Sequence, residues 1–438
     1  MTTRADPDAH RPLTRQDART LALASLGGAL EFYDFIIFVF FTSVIAHLFF
    51  PPGMPDWLQQ TQAFGIFAAG YLARPLGGIV MAHFGDLFGR KRMFTLSVFL
   101  MAVPTLLMGV IPTYATAGYA APVMLLALRL LQGAAIGGEA PGAWVFVSEH
   151  VPDRHVGFAC GLLAGGLIAG ILLGSIMATA INLIYTPAEI ASWAWRIPFV
   201  VGGIAGFIAM ILRRWLQETP VFEAIRARAE TSEMPLKEVL HRHGRGTVIS
   251  MLITWMLTAA IVVVILMTPT LMQKLHGIPA ADTLMASVAA TLVLSLSAPL
   301  AGVAIDRFGP LPVMVLGGLG LIASTYALYI GTAANPALLL PLHALAGLFV
   351  GVISVTPYVI VRSFPAAIRF TGMSFSYNVA YAIFGGVTPM VVSALLAVDR
   401  MGPAHYVAGV TLVGIATVAA DRLRRVARPR MVAGIPAR

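Results

Sequence analysis

About twelve apolar stretches, each long enough to cross a bilayer as a helix, recur along this 438-residue chain with short polar turns between them. A hydrocarbon core about 30 Å thick takes roughly 20 apolar residues in helical form. Within it every backbone N–H and C=O must be satisfied inside the segment, which leaves the helix as the solution for a single run. The stretches fall at 21–48, 61–84, 93–112, 120–147, 156–184, 195–215, 247–272, 283–305, 311–331, 337–362, 370–397 and 404–421. They predict an all-α membrane protein with twelve transmembrane helices. Composition points the same way, since 58% hydrophobic residues against 11% charged give more apolar surface than a soluble core of this length could bury.

A formal charge of +9 would suit a nucleic-acid binder, but the positions of the charges exclude that class. Of the 29 Lys and Arg, 24 lie in the two tails and the even-numbered loops, whereas the odd-numbered loops carry Arg196, Lys274 and Arg400. By the positive-inside rule, both termini and the central loop face the cytoplasm of a protein embedded in the plasma membrane. The first span follows a polar segment and is too long for a signal-peptide core, so it is expected to act as its own insertion signal. The single cysteine, Cys160, lies inside a span and allows neither an intrachain disulfide nor a thiolate metal site. His47, His83 and His343 sit in different spans without metal-ligand spacing. No glycine-rich phosphate loop with its lysine is present, so no cofactor is expected, ATP is not the energy source, and the chain does not read as an enzyme.

The longest polar stretch, 216–246, separates an N-terminal six-span unit (1–215) from a C-terminal one (247–438), and a short amphipathic surface helix is expected within it. Turns recur between the halves. Gly85-Asp86-Leu87-Phe88-Gly89-Arg90-Lys91-Arg92 follows the second span, and Gly302-Val303-Ala304-Ile305-Asp306-Arg307-Phe308-Gly309 follows the eighth. After the fourth and tenth spans, Pro152 and Pro365 each precede a glycine-bearing helix start. This duplication predicts two pseudo-symmetric six-helix bundles with a site between them at mid-depth, a plan used by secondary transporters.

At these residues the chain resembles the major facilitator superfamily and, more narrowly, its metabolite:proton symporter family. The resemblance rests on Leu30-Glu31-Phe32-Tyr33-Asp34-Phe35, Arg74-Pro75-Leu76-Gly77-Gly78, the turn at 85–92, Arg129-Leu130-Leu131-Gln132-Gly133 with Gly137-Gly138-Glu139, Glu218-Thr219-Pro220 and Arg369-Phe370-Thr371-Gly372 with Tyr377-Asn378. It implies substrates ranging over di- and tricarboxylates, aromatic acids and zwitterionic osmolytes. Two departures stand out: Leu87 occupies a position that is usually basic, and Pro310 ends the second turn where Arg-Lys is expected. A weaker second latch is the expectation that follows.

Ionisable residues inside a span cost about 2.5–3.5 kcal/mol each and are functional candidates by default. Asp34, Glu31, Arg129 and Glu139 are the proton-coupling candidates. Asp34 and Glu31 share a helical face, and either is expected to meet Arg129, releasing or taking up a proton as that pair forms and breaks. Asp34 is the favoured titrating group. Glu139 reads as a relay or as a partner for Arg74; a static charge network that merely orients helices is the alternative for the whole set. Tyr33, Arg74, Gln132, Trp255, Tyr358, Tyr377 and Asn378 are the substrate-binding candidates, polar or aromatic groups able to orient a small solute, with Tyr377-Asn378 ranked first; helix packing is the alternative for each of them and the favoured reading for Arg74. Asp86, Arg90, Lys91, Glu149, Asp306, Arg307, Arg362 and Arg369 are the candidates for a cytoplasmic gate, with Asp86 facing the helix start near 370. The alternative for 85–92 is a turn that only orients its spans.

The expected activity is proton-coupled import of a small organic acid by alternating access, with protons as coupling ion and a carboxylate as small-molecule partner, in a bilayer-embedded monomer. Uptake of a zwitterion such as betaine or proline is the alternative within the class. No heptads follow the last span, which lowers the expectation of an osmosensing member. A proton-antiporting exporter and a non-transporting membrane sensor are the alternatives outside it.

Overall fold

The computed structural model describes residues 11–213, 215–228 and 235–427. Arg4, Arg214, Arg428, Arg430 and Arg438, part of the basic pattern, lie outside the described residues. Among those described, twelve helices are long and apolar enough to span a membrane: α1 Arg15–Phe40, α2 Asp56–Phe88, α3 Arg90–Met108, α4 Ala120–His150, α5 Asp153–Ile184, α6 Ala194–Arg213, α7 Gly244–His276, α8 Ala280–Phe308, α9 Pro310–Ala334, α10 Pro336–Val361, α11 Ala366–Val398 and α12 Gly402–Arg424.

Local chemistry sets their ends. Thr14 and Asp17 form a reciprocal cap that starts α1 six residues before the apolar run at 21, and the helix bends at Phe41 into a short continuation, Thr42–Phe49. Gly89 after α2 and Gly309 after α8 take φ of 121° and 85°, so the two repeated turns reverse the chain through a conformation that a side chain would strain. Two amphipathic helices, Pro220–Ala227 and Pro235–Arg242, lie between α6 and α7 where one was expected. Along α7 the turn widens over Ala260–Met267, and buried His343 of α10 donates Nε2–H to the Val264 carbonyl at 2.7 Å. His343 is thereby accounted for as a backbone partner.

The helices form two pseudo-symmetric six-helix bundles, α1–α6 and α7–α12. They meet along two seams, α2 against α11 and α5 against α8. Small residues make the second seam close: a side chain at Gly302 would strike the Gly157 carbonyl, and one at Gly161 would strike that of Ala298. Gly165 keeps to the same side, against the Ser295 carbonyl, whereas Gly166 and Gly170 face the other way, toward Ser25 and Ala29 of α1. The glycine series in α5 thus serves two neighbours at once.

Candidate functional site

At the end of the molecule that carries the repeated turns, charges tie the bundles together. Asp86 Oδ2 accepts the Thr371 N–H at the start of α11 at 2.9 Å, and Asp306 accepts the Gly157 and Phe158 N–H groups at the start of α5, both at 2.7 Å. Each aspartate therefore sits on the positive end of a helix in the opposite bundle. Arg90 reaches Asp86 at 3.1 Å, Glu149 at 3.4 Å and the Ala366 carbonyl at 2.6 Å. Arg369 pairs with Glu149 at 2.9 Å, and Arg362 reaches the Asp153 carbonyl at 3.2 Å and its carboxylate at 3.5 Å.

Three expectations about this end are corrected. Asp306 engages two backbone donors, so the second latch is poorer in charge but no less engaged. Arg307 makes no ion pair among the described residues and lies 5.4 Å from the ring of Phe308. The Lys91 backbone N–H, 3.1 Å from Glu218 Oε1, is what binds there; its side chain lines a groove between α3 and α6, away from the seam.

Toward mid-membrane the α2–α11 seam turns aromatic. Asn378 Nδ2–H donates to the Gly137 carbonyl at 2.6 Å and Ser374 Oγ–H to the same oxygen at 3.2 Å, which clamps α11 to α4. Beyond them the guanidinium of Arg74 lies 5.5 Å from the ring of Tyr71 and 4.8 Å from that of Tyr381. Tyr71 and Tyr381 stack across the seam at 6.2 Å, and Tyr377 packs against Tyr381 at 5.6 Å and Trp144 at 5.4 Å. Arg74 is buried, and its Nε and Nη2 have no hydrogen-bond partner among the described residues. Trp255 stacks on Phe384 at 4.7 Å and donates to the Tyr406 hydroxyl at 2.8 Å. Among the described residues, every hydrogen bond and ion pair between the bundles lies between this level and the charged end.

A second polar cluster is enclosed within the N-terminal bundle. Glu31, Asp34 and Glu139 share a small cleft walled by Gly27, Val98, Met101 and Gly206. Glu139 pairs with Arg213 of α6 at 2.5 Å and accepts the Ser97 hydroxyl, so Arg213 and not Arg74 is its partner. The Asp34 carboxylate faces Gly202 and Thr105. Neither Glu31 oxygen has a hydrogen-bond partner among the described residues.

The expected pairing of Arg129 with Asp34 or Glu31 is not formed. Arg129 bonds to the Gln132 side chain and, at 3.5 Å, to the Phe35 carbonyl, and its guanidinium lies 4.3 Å from the ring of Phe35, 4.5 Å from Phe38 and 5.1 Å from Phe67. Gln132 also bridges to Thr105 at 2.8 Å, and the Tyr33 hydroxyl donates to the Pro198 carbonyl at 3.0 Å. Both side chains are thus committed inside the N-terminal bundle. Tyr358 is placed at the charged end, 4.8 Å below the Arg362 guanidinium, and so lies off the mid-membrane level.

The Major Facilitator Superfamily profile matches residues 24–389 of this chain. The chain belongs to the major facilitator superfamily. The proline/betaine transporter of Salmonella typhimurium is 30% identical over 421 residues, covering 91% of this chain and 82% of that one. The proline/betaine transporter of Escherichia coli K12 is 30% identical over 438 residues, covering 93% and 85%. Among solved structures, the proton:xylose symporter XylE bound to 6-bromo-6-deoxy-D-glucose superposes with a TM-score of 0.76 over 92% of this chain and 94% of that one, at 17% identity. That likeness carries the fold. XylE from E. coli in a partially occluded inward-open conformation gives 0.67 at 16% identity over 96% of this chain and 100% of that one.

In this superfamily member the residues that sequence reasoning missed are Tyr71, Tyr381 and Arg213. The tyrosines were within reach, since Tyr71 stands three residues before Arg74 and Tyr381 four after Tyr377, the spacings that share a helical face. Arg213 lies at the end of α6 and read as one more basic linker residue.

Proposed function

We propose that this protein takes up a zwitterionic osmolyte of the proline or betaine class together with a proton, by alternating access, with its charged end and both termini in the cytoplasm. One observation carries the substrate class: the buried Arg74 guanidinium lies against Tyr71 and Tyr381 where the bundles meet, with donors left over. A guanidinium grips a carboxylate bidentately. Tyrosine and tryptophan faces attract an ammonium by their ring quadrupole, worth about 0.5–2 kcal/mol each. A solute with both groups finds both partners at this level. An organic acid alone would leave the aromatic surround without a role, and Arg129, the other buried mid-span arginine, already bonds Gln132 and the Phe35 carbonyl and keeps only Nε without a partner among the described residues. The curated names of the relatives support the same class.

Glu31 carries the proton. Both its oxygens lack a hydrogen-bond partner among the described residues, whereas Glu139 is paired with Arg213 and Ser97 and the Asp34 carboxylate faces Thr105. With ties confined to the cytoplasmic half, the arrangement is the one closed to the cytoplasm.

Proteoliposomes given an inside-alkaline pH gradient test both parts. Labelled betaine or proline is expected to accumulate, a protonophore to abolish accumulation, and Glu31→Gln to lose gradient-driven uptake while keeping exchange of labelled for unlabelled solute. Accumulation of a dicarboxylate in place of the zwitterions would overturn the substrate class. Expulsion of solute or inertness would overturn symport.

A further inference from the structure

Between the cytoplasmic ends of α3 and α6, beside the helix Pro220–Ala227, runs an open groove of about 1020 Å³. Its two ends differ in chemistry. Lys91, Arg92 and Arg226 stand at the mouth, and none makes an ion pair among the described residues. Farther along, the lining is Leu96, Phe99 and Met210. Phe99 is eight residues beyond Lys91 on α3, which at 1.5 Å per residue places it about 12 Å deeper toward mid-membrane. Two carboxylates also line the mouth, Glu218 and Glu223. Glu218 is occupied by backbone donors, accepting the Lys91 N–H at 3.1 Å and the Thr219 N–H at 3.0 Å. Exposed Trp215, just past α6, has the Arg19 guanidinium 5.0 Å from its ring and sets the headgroup level on this side, where tryptophan rings prefer to sit. In the groove between α7 and α12, by contrast, Arg245 is neutralised by Asp421 at 2.9 Å.

We propose that the α3–α6 groove holds one anionic phospholipid of the cytoplasmic leaflet, its phosphate against Lys91, Arg92 and Arg226 and an acyl chain along Leu96, Phe99 and Met210. Uncommitted cations at headgroup depth and apolar lining deeper in match the two parts of that molecule, and a soluble anion would use only the first. Basic pockets between membrane helices on the cytoplasmic side select anionic headgroups in this way. The proposal rests on the orientation given above and is independent of the substrate, because lipid retention is read without one.

The test uses the full chain, delipidated and reconstituted in nanodiscs of phosphatidylcholine with graded phosphatidylglycerol, with retained lipid counted by native mass spectrometry and stability followed by thermal unfolding. The parent is expected to retain one phosphatidylglycerol in preference to phosphatidylcholine or phosphatidylethanolamine. A double variant, Lys91→Gln with Arg226→Gln, is expected to lose that preference about 25-fold, at roughly fivefold per cation. The charge-keeping pair Lys91→Arg with Arg226→Lys is expected to keep it, which separates lost binding from lost folding, and Arg245→Gln is expected to leave it unchanged. Equal retention by the double variant, equal loss in Arg245→Gln, loss in the charge-keeping pair, or stabilisation by inorganic phosphate as strong as that by the lipid would each overturn the proposal.

Discussion

Arg74 and Arg129 are the same side chain buried inside neighbouring helices, and their surroundings differ. Arg129 has three phenylalanine rings, a carbonyl and Gln132 around it, so its charge is stabilised whether or not a solute is bound. Arg74 has two tyrosine rings and spare donors at the seam. Replacing Arg74 by Gln is therefore expected to remove charge-assisted bonds to solute worth about 1.5–3 kcal/mol, raising KM for uptake roughly ten- to a hundredfold. Arg74→Lys should recover only part, because a lysine lacks the planar fork. Arg129→Gln is expected to act on stability instead, lowering the melting temperature with a smaller change in KM. Uptake kinetics beside thermal unfolding distinguishes them, and an Arg74→Gln protein with unchanged KM would remove Arg74 from the site. Both arginines were visible in the sequence as charges inside spans. Which one had partners was not, because ring faces and a backbone carbonyl from another helix leave no spacing to read.

At the scale of the element, the repeated turn after α2 and α8 works by placing a carboxylate on a helix start across the seam. Sequence comparison predicts a weaker second copy from Leu87 and Pro310. Geometry gives a different expectation, since Asp306 holds two backbone donors and Asp86 one donor plus Arg90. Asp86→Asn and Asp306→Asn each lose charged hydrogen bonds of about 1.5–3 kcal/mol. Cysteine-accessibility rates at the charged end should rise by similar factors in the two variants, and a tenfold larger effect at Asp86 would restore the inequality. The α11–α12 turn offers a pH test. There the Met401 N–H, at 2.9 Å, and His405, at 2.8 Å, hold the Asp399 carboxyl below the usual carboxylate range. A carboxyl lowered on folding stabilises above its unfolded pKa, about 3.9, and loses that contribution as pH falls toward its folded value. The melting-temperature gap between the parent and Asp399→Asn is thus expected at neutral pH and should shrink as pH falls below about 4; a gap that does not narrow on acidification would exclude this group as its source.

At the scale of the molecule, span number, duplication and the latch turns were legible because lipid imposes them locally: each helix must satisfy its own backbone, and each turn carries its own glycine and charge. The site was only half legible. Tyr71 and Tyr381 lie 310 residues apart in the chain and become a pair when α2 meets α11, a meeting that only the packed bundles define. At the charged end the bundles also meet along the α5–α8 seam, where Gly302 faces the Gly157 carbonyl with no room for a Cβ. Helices held this close by small residues cannot tolerate a branched side chain without separating. Gly302→Val is therefore expected to part the bundles at the charged end and shift the population toward the cytoplasm-open arrangement. Ser374, buried on α11 against the Gly137 carbonyl, reports on it when replaced by cysteine in a Cys160→Ala background. Maleimide applied from the cytoplasmic side of inverted vesicles should label Ser374→Cys at least tenfold faster with Gly302→Val than without, and uptake affinity from the outer side should fall in parallel. An unchanged labelling rate would mean that the α5–α8 seam is packing alone and that opening is controlled by the α2–α11 latch.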